Sequence, residues 1–303
     1  MIRVKAFCPA AISSFFASYL HENPLKCGAW GGGFTLEKGV EVTVSLDRSQ
    51  SELEVSNFIN GKPVDSPIIK TVLKYLSEYG KLKGKLKIEQ RIEVPIGCGY
   101  GTSGASALAA AMALSKIFKI KITYMQMARI AHLADFQCKT GLGTVAGIVG
   151  PSGGIKILTS PGAPGYAVVD KIFIPKDFLI VSASFGPIRK EEILKDHSRL
   201  EILNQIGMET LRRILRDPTP KNFMKNCRRF ALKAGFMSGR VKILLEQLDE
   251  THIIGATQNM IGEAVHSLVE EKYLDEILKV YLKFFHQDEI IVSKVDELGP
   301  RYL

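Results

Sequence analysis

The sequence predicts an α+β fold with two lobes, and three observations support this class. Segments with the period of strands and segments with the spacing of helices alternate through the first half of the chain. Thr159–Gly165 (TSPGAPG) is so dense in proline and glycine that it can extend neither a helix nor a central strand. From about Lys190 to Leu282 the spacing is mostly helical. We therefore expect one lobe over residues 1–160 and a second over residues 161–303.

The individual elements follow from periodicity and from the turn residues that bound them. Strands are predicted at Glu41–Leu46, Glu52–Phe58, Lys85–Val94, Gly153–Leu158, Val168–Ile174, Phe178–Ser184 and Glu289–Ser293. Helices of the first half are predicted at Pro67–Tyr79, Ser103–Phe118 and Met125–Gln137. The apolar stretch Ala6–Leu20 has the basic start of a signal peptide, but a proline and two serines interrupt it. We expect a strand, a turn and the start of a helix there.

The composition is that of a globular protein. Of the 303 residues, 46% are hydrophobic and 23% are charged, which suits a sizeable core and argues against wholesale disorder. The formal net charge is +9, and the basic residues are spread along the chain. Such a surface suits anionic metabolites as well as nucleic acid. Because no basic-aromatic module is present, we expect no nucleic-acid partner.

Cysteine usage and the length of the apolar runs bear on location. The five cysteines are odd in number and include no CxxC pair, which argues against a zinc site or a disulfide framework. A reducing cytoplasm fits this usage. The apolar run Ala105–Leu114 is shorter than the about 20 residues that a membrane-spanning helix needs. We therefore expect a cytoplasmic protein with no membrane partner.

The most informative string is Pro95–Ser106 (PIGCGYGTSGAS), between a predicted strand and a predicted helix. The start of a helix leaves backbone amides unpaired and carries partial positive charge, so it accepts phosphate. Glycines allow close approach and positive φ, and hydroxyls can cap the helix or reach a phosphate or a metal ion. The residues assigned to cofactor binding are Pro95, Gly97, Gly99, Gly101, Thr102, Ser103, Gly104 and Ser106.

Several other interpretations compete for this string. No Gly-Lys-Ser/Thr ends it, as a Walker A loop requires. Gly99, Gly101 and Gly104 match the dinucleotide fingerprint, but Lys119–Tyr124 lacks the acidic residue expected about 20 positions on. The companion motifs of protein kinases are absent from the sequence. An ordinary turn and helix start remains open, although four glycines in eight positions are costly in chain entropy.

The string PIGCGYGTSGA resembles the phosphate loop PxxxGLGSSAA of the GHMP kinase superfamily, which includes galactokinase, homoserine kinase and mevalonate kinase. Other strings are similar to one branch, the archaeal pantoate kinases. These are AFCP from Ala6, GGGFTL from Gly31, TGLGTV from Thr140, PGAPG from Pro161 and GPI from Gly186. The resemblance runs from the first strand to about residue 194 and is weaker beyond.

The resemblance implies a fold and an activity. The N-terminal lobe would be ribosomal-protein-S5-like and the C-terminal lobe ferredoxin-like, with ATP on the glycine loop and the substrate between the lobes. The implied reaction is Mg²⁺-dependent transfer of the γ-phosphoryl group of ATP to the terminal hydroxyl of pantoate, a step toward coenzyme A. A homodimer is one expectation for the assembly.

The resemblance also implies roles for single residues. Asp135, at the end of a predicted helix, corresponds to the acidic magnesium ligand, and Ser103 to the serine that reaches the same ion. A solvated helix-end carboxylate is the alternative for Asp135, although an acid there opposes the helix dipole. Thr144 stands where many members carry a catalytic aspartate, so either Thr144 orients the substrate or transfer proceeds without a dedicated base. The residues assigned to substrate are Ser13, Ser14, Gly143 and Arg189.

Two further features have a structural and a functional interpretation. His132 lies three residues before Asp135 on the same predicted helix, so it is either a buried structural histidine or a group near the site. Gly255–Gly262 (GATQNMIG) occupies the place of the third superfamily motif in degenerate form. With Thr257 as N-cap, it is expected to start a helix.

Three rival functions stay open at this point. The first is a kinase of the same superfamily that phosphorylates another small alcohol, such as mevalonate or homoserine. The second is a ligand sensor that has kept the fold and lost catalysis. The third is a dinucleotide-binding oxidoreductase, which the missing acidic residue disfavours. A panel of phosphoryl acceptors separates these classes, because site chemistry rather than fold sets function.

Overall fold

A computed structural model describes residues 2–188 and 197–303, and its first sheet is built on two long antiparallel strands. These are β1 (Ile2–Tyr19) and β2 (Gly28–Asp47), paired from Ile2 opposite Leu46 to Tyr19 opposite Gly28. The predicted turn and helix start within the first 20 residues are therefore wrong. The apolar stretch is a strand buried on both faces, and periodicity alone cannot distinguish such a run from a helix.

The remaining strands extend this sheet on both sides. They are β3 (Leu53–Ile59), β4 (Lys62–Pro63), β5 (Gly84–Ile92), β6 (Ile155–Ser160), β7 (Val168–Ile172) and β12 (Arg301–Tyr302). The order is β12-β1-β2-β5-β3-β4, and β6 pairs with β2 and β7. Every pair is antiparallel except β3 with β5. This sheet carries the strand that leads into the glycine loop.

Four helices follow in the first part of the chain: α1 (Pro67–Ser77), α2 (Thr102–Ile117), α3 (Tyr124–Gln137) and α4 (Thr144–Val149). Helix α2 packs on β1 and β2 and is buried on nearly all sides, as its alanine-rich sequence permits. Helices α1, α3 and α4 all contact α2. The central position of α2 fixes where its N-terminus points.

The second sheet contains β8 (Phe178–Gly186), β9 (Ile253–Gln258), β10 (Glu263–Glu270) and β11 (Ile291–Ser293), in the antiparallel order β11-β8-β10-β9. Its helices are α5 (His197–Arg216), α6 (Pro220–Ala234), α7 (Gly239–Asp249) and α8 (Leu274–Tyr281). Short 3₁₀ turns lie at Glu271–Tyr273 and Gln287–Glu289. This β-α-β-β-α-β arrangement, with extra helices in the first crossover, is ferredoxin-like, and the predicted two-lobed α+β class is confirmed.

Two predictions for the second half of the chain have different outcomes in the structure. Gly255–Gly262 does not start a helix. It contains the end of β9 and the turn into β10, and its backbone groups form hydrogen bonds within this hairpin. The lobe boundary between residues 160 and 161 stays a prediction. It falls within the β6–β7 hairpin, whose strands both belong to the first sheet, and the second sheet starts at β8.

Aromatic packing joins the two lobes. Phe223 on α6 lies edge-on to Phe15 of β1 and Phe34 of β2, with ring centroids 6.2 and 5.7 Å apart. All three rings are buried. Pairs of this kind stabilise an interface beyond the area they bury. Within the described residues, no helix is long and apolar enough to cross a bilayer.

Candidate active site

The glycine loop turns the chain from β5 into α2. Gly97, Gly99 and Gly101 adopt positive φ, at +78°, +82° and +62°, a region that other residues reach only with strain. Gly101 is the N-cap of α2, so the helix starts at Thr102 as the loop interpretation requires. The amides of this first turn lack partners within the helix and carry the positive end of its dipole. The local structure is therefore that of an anion-binding helix start.

Three elements meet at this helix start. A Cβ atom placed on Gly101 would lie 2.7 Å from Cγ2 of Thr144, at the N-terminus of α4. A Cβ atom on Gly104 would lie 3.0 Å from the same methyl group and 3.2 Å from Oδ2 of Asp135. The fold thus brings together the glycine loop, Asp135 and Thr144, all three singled out from the sequence.

Asp135 is held in one orientation at the end of α3. Its side chain is only 2% exposed. The hydroxyl of Thr140 donates to Oδ1 at 2.6 Å, and the Thr140 amide donates to the Asp135 carbonyl at 3.0 Å. The other carboxylate oxygen lies on the side of Gly104 and Gly141. Asp135 is therefore a buried carboxylate beside the helix start, and the solvated alternative does not apply.

The chemistry of these residues fits a magnesium ion shared with a nucleotide. No cluster of three His, Cys, Asp or Glu side chains suited to a metal occurs among the described residues. Kinase sites bind Mg²⁺ through one or two carboxylates together with phosphate oxygens, so such a cluster is not needed. Asp135 offers the carboxylate, and Ser103 lies in the first turn of α2 beside Gly104.

The residues predicted to contact substrate are placed differently from one another. Gly143 is the N-cap of α4, directly before Thr144. Ser13 is half-buried and donates to the carbonyl of Phe15 at 3.4 Å. Ser14 is fully buried, and its hydroxyl is 2.9 Å from Nε2 of His266. Arg189 lies outside the described residues. All four substrate assignments stay predictions.

His132 has a structural partner. It is 1% exposed, and its Nε2 lies 3.2 Å from the carbonyl oxygen of Pro24. Burial lowers the pKa of His132, which keeps the ring neutral near pH 7. This geometry agrees with the structural interpretation of the residue.

Sequence reasoning missed several buried polar side chains, among them Lys156 and His266. Lys156 on β6 is 4% exposed and donates to the carbonyls of Gly150 and Pro151, and burial lowers its pKa to about 8. His266 on β10 is fully buried, with Nδ1 2.7 Å from Oδ1 of Asn259. Neither belongs to a motif, and the partner of His266 on β1 is 252 positions away in the chain. No local signal marks such contacts.

His266 should make the protein sensitive to mild acid. Burial lowers its pKa to about 3, below the usual value near 6.5 that the unfolded chain restores. Below pH 6.5 the histidine of the unfolded chain takes up a proton, whereas the buried ring of the folded chain stays neutral until the pH approaches 3. The free energy of unfolding therefore falls as the pH drops from 6.5 toward 3. We expect about 2 kcal/mol less free energy of unfolding from this residue at pH 5 than at pH 7.5.

Denaturant unfolding at both pH values, for the natural protein and His266→Asn, measures this contribution. Asparagine does not titrate, so the drop between the two pH values should be smaller in the variant by about 2 kcal/mol. An equal drop in both proteins would show that His266 is not held neutral in the folded state.

The fold and this site define a class of protein: a kinase with its phosphate loop at the start of a central helix. The family model described as GHMP kinases N terminal domain matches residues 67–149, which span α1 to α4 and include the glycine loop, Asp135 and Thr144. A solved structure has the same fold. A homoserine kinase from Cytophaga hutchinsonii is 16% identical, with a TM-score of 0.69 over 99% of this chain and 97% of that one, a likeness of fold alone.

More similar relatives give the particular family. The pantoate kinase of Thermococcus kodakarensis is 32% identical over 271 residues, which are 89% of this chain and 88% of that protein. The pantoate kinase of Methanocaldococcus jannaschii is 30% identical over 90% of this chain and 96% of that protein. A solved "phosphotransferase related to CoA biosynthesis pathway" is 28% identical, with a TM-score of 0.90 over 100% of this chain and 99% of that one. The chain belongs to the pantoate kinase family of the GHMP kinases.

Proposed function

We propose that the protein transfers the γ-phosphoryl group of ATP to the terminal hydroxyl of pantoate, giving 4-phosphopantoate and ADP on the route to coenzyme A. The observation that carries this proposal is the buried Asp135 beside the glycine-loop helix start, in a chain 32% identical to a pantoate kinase. In the transfer, a bond forms between the pantoate oxygen and the γ-phosphorus. The bond from that phosphorus to the β–γ bridging oxygen breaks, and the hydroxyl proton is released.

The glycine loop would hold the ATP phosphates. The amides at the start of α2 donate to phosphate oxygens, and the glycines let the backbone approach them without a side chain between. The helix dipole adds favourable charge at the same point. In phosphoryl transfer most of the catalytic effect comes from such positioning and charge stabilisation.

Magnesium would be held by Asp135 and Ser103 together with the phosphates. When bound there, Mg²⁺ would supply positive charge to offset the negative charge on the phosphates during transfer. Asp135 is suited to this because Thr140 fixes one of its carboxylate oxygens. The Asp135 position at the end of α3, close to Gly104, aims the carboxylate at the first turn of α2.

The acceptor hydroxyl would lie near the start of α4. Gly143 and Thr144 form that start, and Thr144 has no carboxylate to remove a proton. In a loose transition state the bond to the attacking oxygen is only slightly formed, so the hydroxyl does not need to lose its proton before it attacks. The proton can leave after the bond has formed. We propose that Thr144 orients the hydroxyl and that no dedicated base operates at this position.

Replacing Thr144 by valine tests that role. Valine keeps the methyl group that packs against Gly101 and Gly104 and removes only the hydroxyl. Because one hydrogen bond to the acceptor is lost and no base is removed, we expect kcat to fall about tenfold or less. Thr144→Ser should retain most activity. A fall of more than a hundredfold in Thr144→Val would assign the hydroxyl an essential chemical role.

A panel of acceptors tests the substrate. The purified protein with ATP and Mg²⁺ is assayed for ADP release with pantoate, mevalonate and homoserine. We expect a kcat/KM for pantoate at least about a hundredfold above the others, because a site built to bind one polar substrate rejects those that leave its polar groups unpaired. Good turnover of mevalonate or homoserine without turnover of pantoate would contradict the proposal. ATP binding without transfer to any alcohol would favour the sensor.

We also propose that the reaction takes place in the cytoplasm of an archaeal cell. None of the five cysteines, all of which lie within the described residues, forms a disulfide, as suits a reducing compartment. The two relatives compared above come from Thermococcus and Methanocaldococcus. The homodimer stays a prediction, and the molecular mass in solution would test it.

A further inference from the structure

A chain of buried polar side chains connects β1 with the second sheet. The Ser14 hydroxyl lies 2.9 Å from Nε2 of His266, and Nδ1 of His266 lies 2.7 Å from Oδ1 of Asn259. All three residues are 0% exposed. Asn259 in turn donates from Nδ2 toward the carbonyl of Cys98, at 3.5 Å. The chain of contacts therefore ends on the backbone of the glycine loop.

The proton positions follow from the partners. Because Nδ2 of Asn259 faces a carbonyl, its Oδ1 is the acceptor toward His266. Nδ1 of His266 therefore carries the proton, and Nε2 accepts from the hydroxyl of Ser14. Only a neutral imidazole can donate on one side and accept on the other. Burial, which lowers the pKa of His266, maintains that neutral form.

A second contact holds the glycine loop from the same sheet. The Ser182 hydroxyl donates to the carbonyl of Val265 at 2.7 Å, so the Tyr100 hydroxyl, also 2.7 Å away, donates to Ser182. Tyr100 belongs to the glycine loop, and its ring is 1% exposed. Ser182 on β8 and His266 on β10 are cross-strand partners, so both face the loop.

The loop and the β9–β10 turn also fit closely through their backbones. A Cβ atom on Gly99 would lie 2.8 Å from Cβ of Asn259, and one on Gly262 would lie 2.3 Å from the carbonyl of Cys98. The Met260 amide donates to the Ser13 carbonyl at 2.7 Å. Gly101 has no side chain to cap α2, so the loop is held by contacts from outside the helix. These are the contacts with the second sheet and one from β1, where the Ala11 amide donates to the Tyr100 carbonyl at 2.9 Å.

We propose that Ser182, Asn259 and His266, together with Ser14 of β1 and Tyr100 of the loop itself, are positioning residues that tie the glycine loop to the second sheet. Through these residues, the affinity of the first lobe for nucleotide depends on the position of the second lobe against the glycine loop. The role deepens the proposed kinase function and rests on it, but it concerns only the nucleotide step. None of the five side chains needs to touch ATP or the acceptor.

The other face of the second sheet offers a matched control. Ser267, next to His266 on β10, lies 2.8 Å from the Tyr281 hydroxyl, which donates to the Val181 carbonyl at 3.0 Å. Ser267 and Tyr281 are both 0% exposed, and Tyr281 belongs to α8. This serine–tyrosine pair has the same chemistry and burial as Ser182 with Tyr100, and it faces away from the glycine loop.

The test compares Tyr100→Phe and Ser182→Ala with Tyr281→Phe and Ser267→Ala. Affinity for a non-hydrolysable ATP analogue with Mg²⁺ is measured by calorimetry, and thermal midpoints monitor folding. We expect the first pair to weaken binding about fivefold to tenfold, the effect of one lost buried hydrogen bond, and to raise KM for ATP more than they lower kcat. The control pair should lower the thermal midpoint similarly and leave affinity unchanged.

Equal nucleotide affinity in all four variants would overturn the positioning role, and so would an equal loss in the control pair. The affinity comparison does not depend on the acceptor. If the natural protein fails to phosphorylate pantoate, the substrate assignment fails, and the four affinities still decide whether the second sheet positions the loop.

Discussion

Asp135→Asn should lower kcat about a thousandfold, the largest effect we expect from one substitution of a side chain. The change removes the negative charge that would hold Mg²⁺ against the ATP phosphates. Asparagine has nearly the same shape, and its carbonyl oxygen can still accept from the hydroxyl of Thr140. The variant should therefore fold, and initial rates over a range of Mg²⁺ concentrations give the measurement.

An exposed aspartate provides the control. Asp170 on β7 lies at the surface, and Asp170→Asn should leave both kcat and the magnesium dependence unchanged. The magnesium assignment of Asp135 would be wrong if Asp135→Asn kept kcat within tenfold of the natural protein at the same Mg²⁺ concentration.

Gly101→Ala should weaken ATP binding about a hundredfold. Gly101 has φ of +62°, and an added methyl group would meet Cγ2 of Thr144 at 2.7 Å and the carbonyl oxygen of Ala11 at 2.9 Å. Left-handed strain and overpacking each cost on the order of 1–3 kcal/mol, and each 1.4 kcal/mol corresponds to a tenfold change in affinity. Relief requires the start of α2 to move away from Thr144, and the phosphate-binding amides move with it. Calorimetric titration with an ATP analogue measures the loss.

Gly235→Ala is the control that separates backbone strain from the steric clash expected in Gly101→Ala. Gly235 closes α6 with φ of +71°, and nothing lies within 4 Å of a Cβ atom placed there. Gly235→Ala should lower stability by about 1 kcal/mol through strain alone and leave ATP affinity unchanged. If Gly101→Ala bound ATP as tightly as Gly235→Ala does, the glycine loop would not be the nucleotide site.

Local signals were enough to predict the start of the site. The glycine string between a strand and a helix predicted an N-terminus that points at phosphate, and α2 starts one residue from the expected position. Asp135 and Thr144 follow from the resemblance to GHMP kinases, through their place before and within a second glycine-bearing loop. The fold brings both to the first turn of α2.

The parts that sequence could not give depend on distant contacts. The first 20 residues form one strand because β2 and β12 pair with it, and an apolar run gives no sign of such partners. The segment from Gly255 to Gly262 forms part of a hairpin because β10 pairs with β8. The assignment of Ser14 to the substrate, based on its place after the first motif, stays a prediction. The Ser14 hydroxyl contacts His266, a neighbour that only the folded chain provides.

Through the buried polar contacts, residues of both lobes contribute to the candidate site. The glycine loop, Asp135 and Thr144 all belong to the first part of the chain. The side chains that hold the loop in place come from β8, from β10 and from the β9–β10 turn. The GHMP kinase class follows from the first set. How tightly this member binds its nucleotide should depend on the second.

Phosphorus NMR of the protein mixed with ATP, Mg²⁺ and pantoate tests the central claim most directly. We expect a new phosphate monoester signal that grows in equal amount with ADP and couples to the methylene protons of the terminal carbon of pantoate. ATP that remains intact would contradict it, and so would release of inorganic phosphate without a monoester signal.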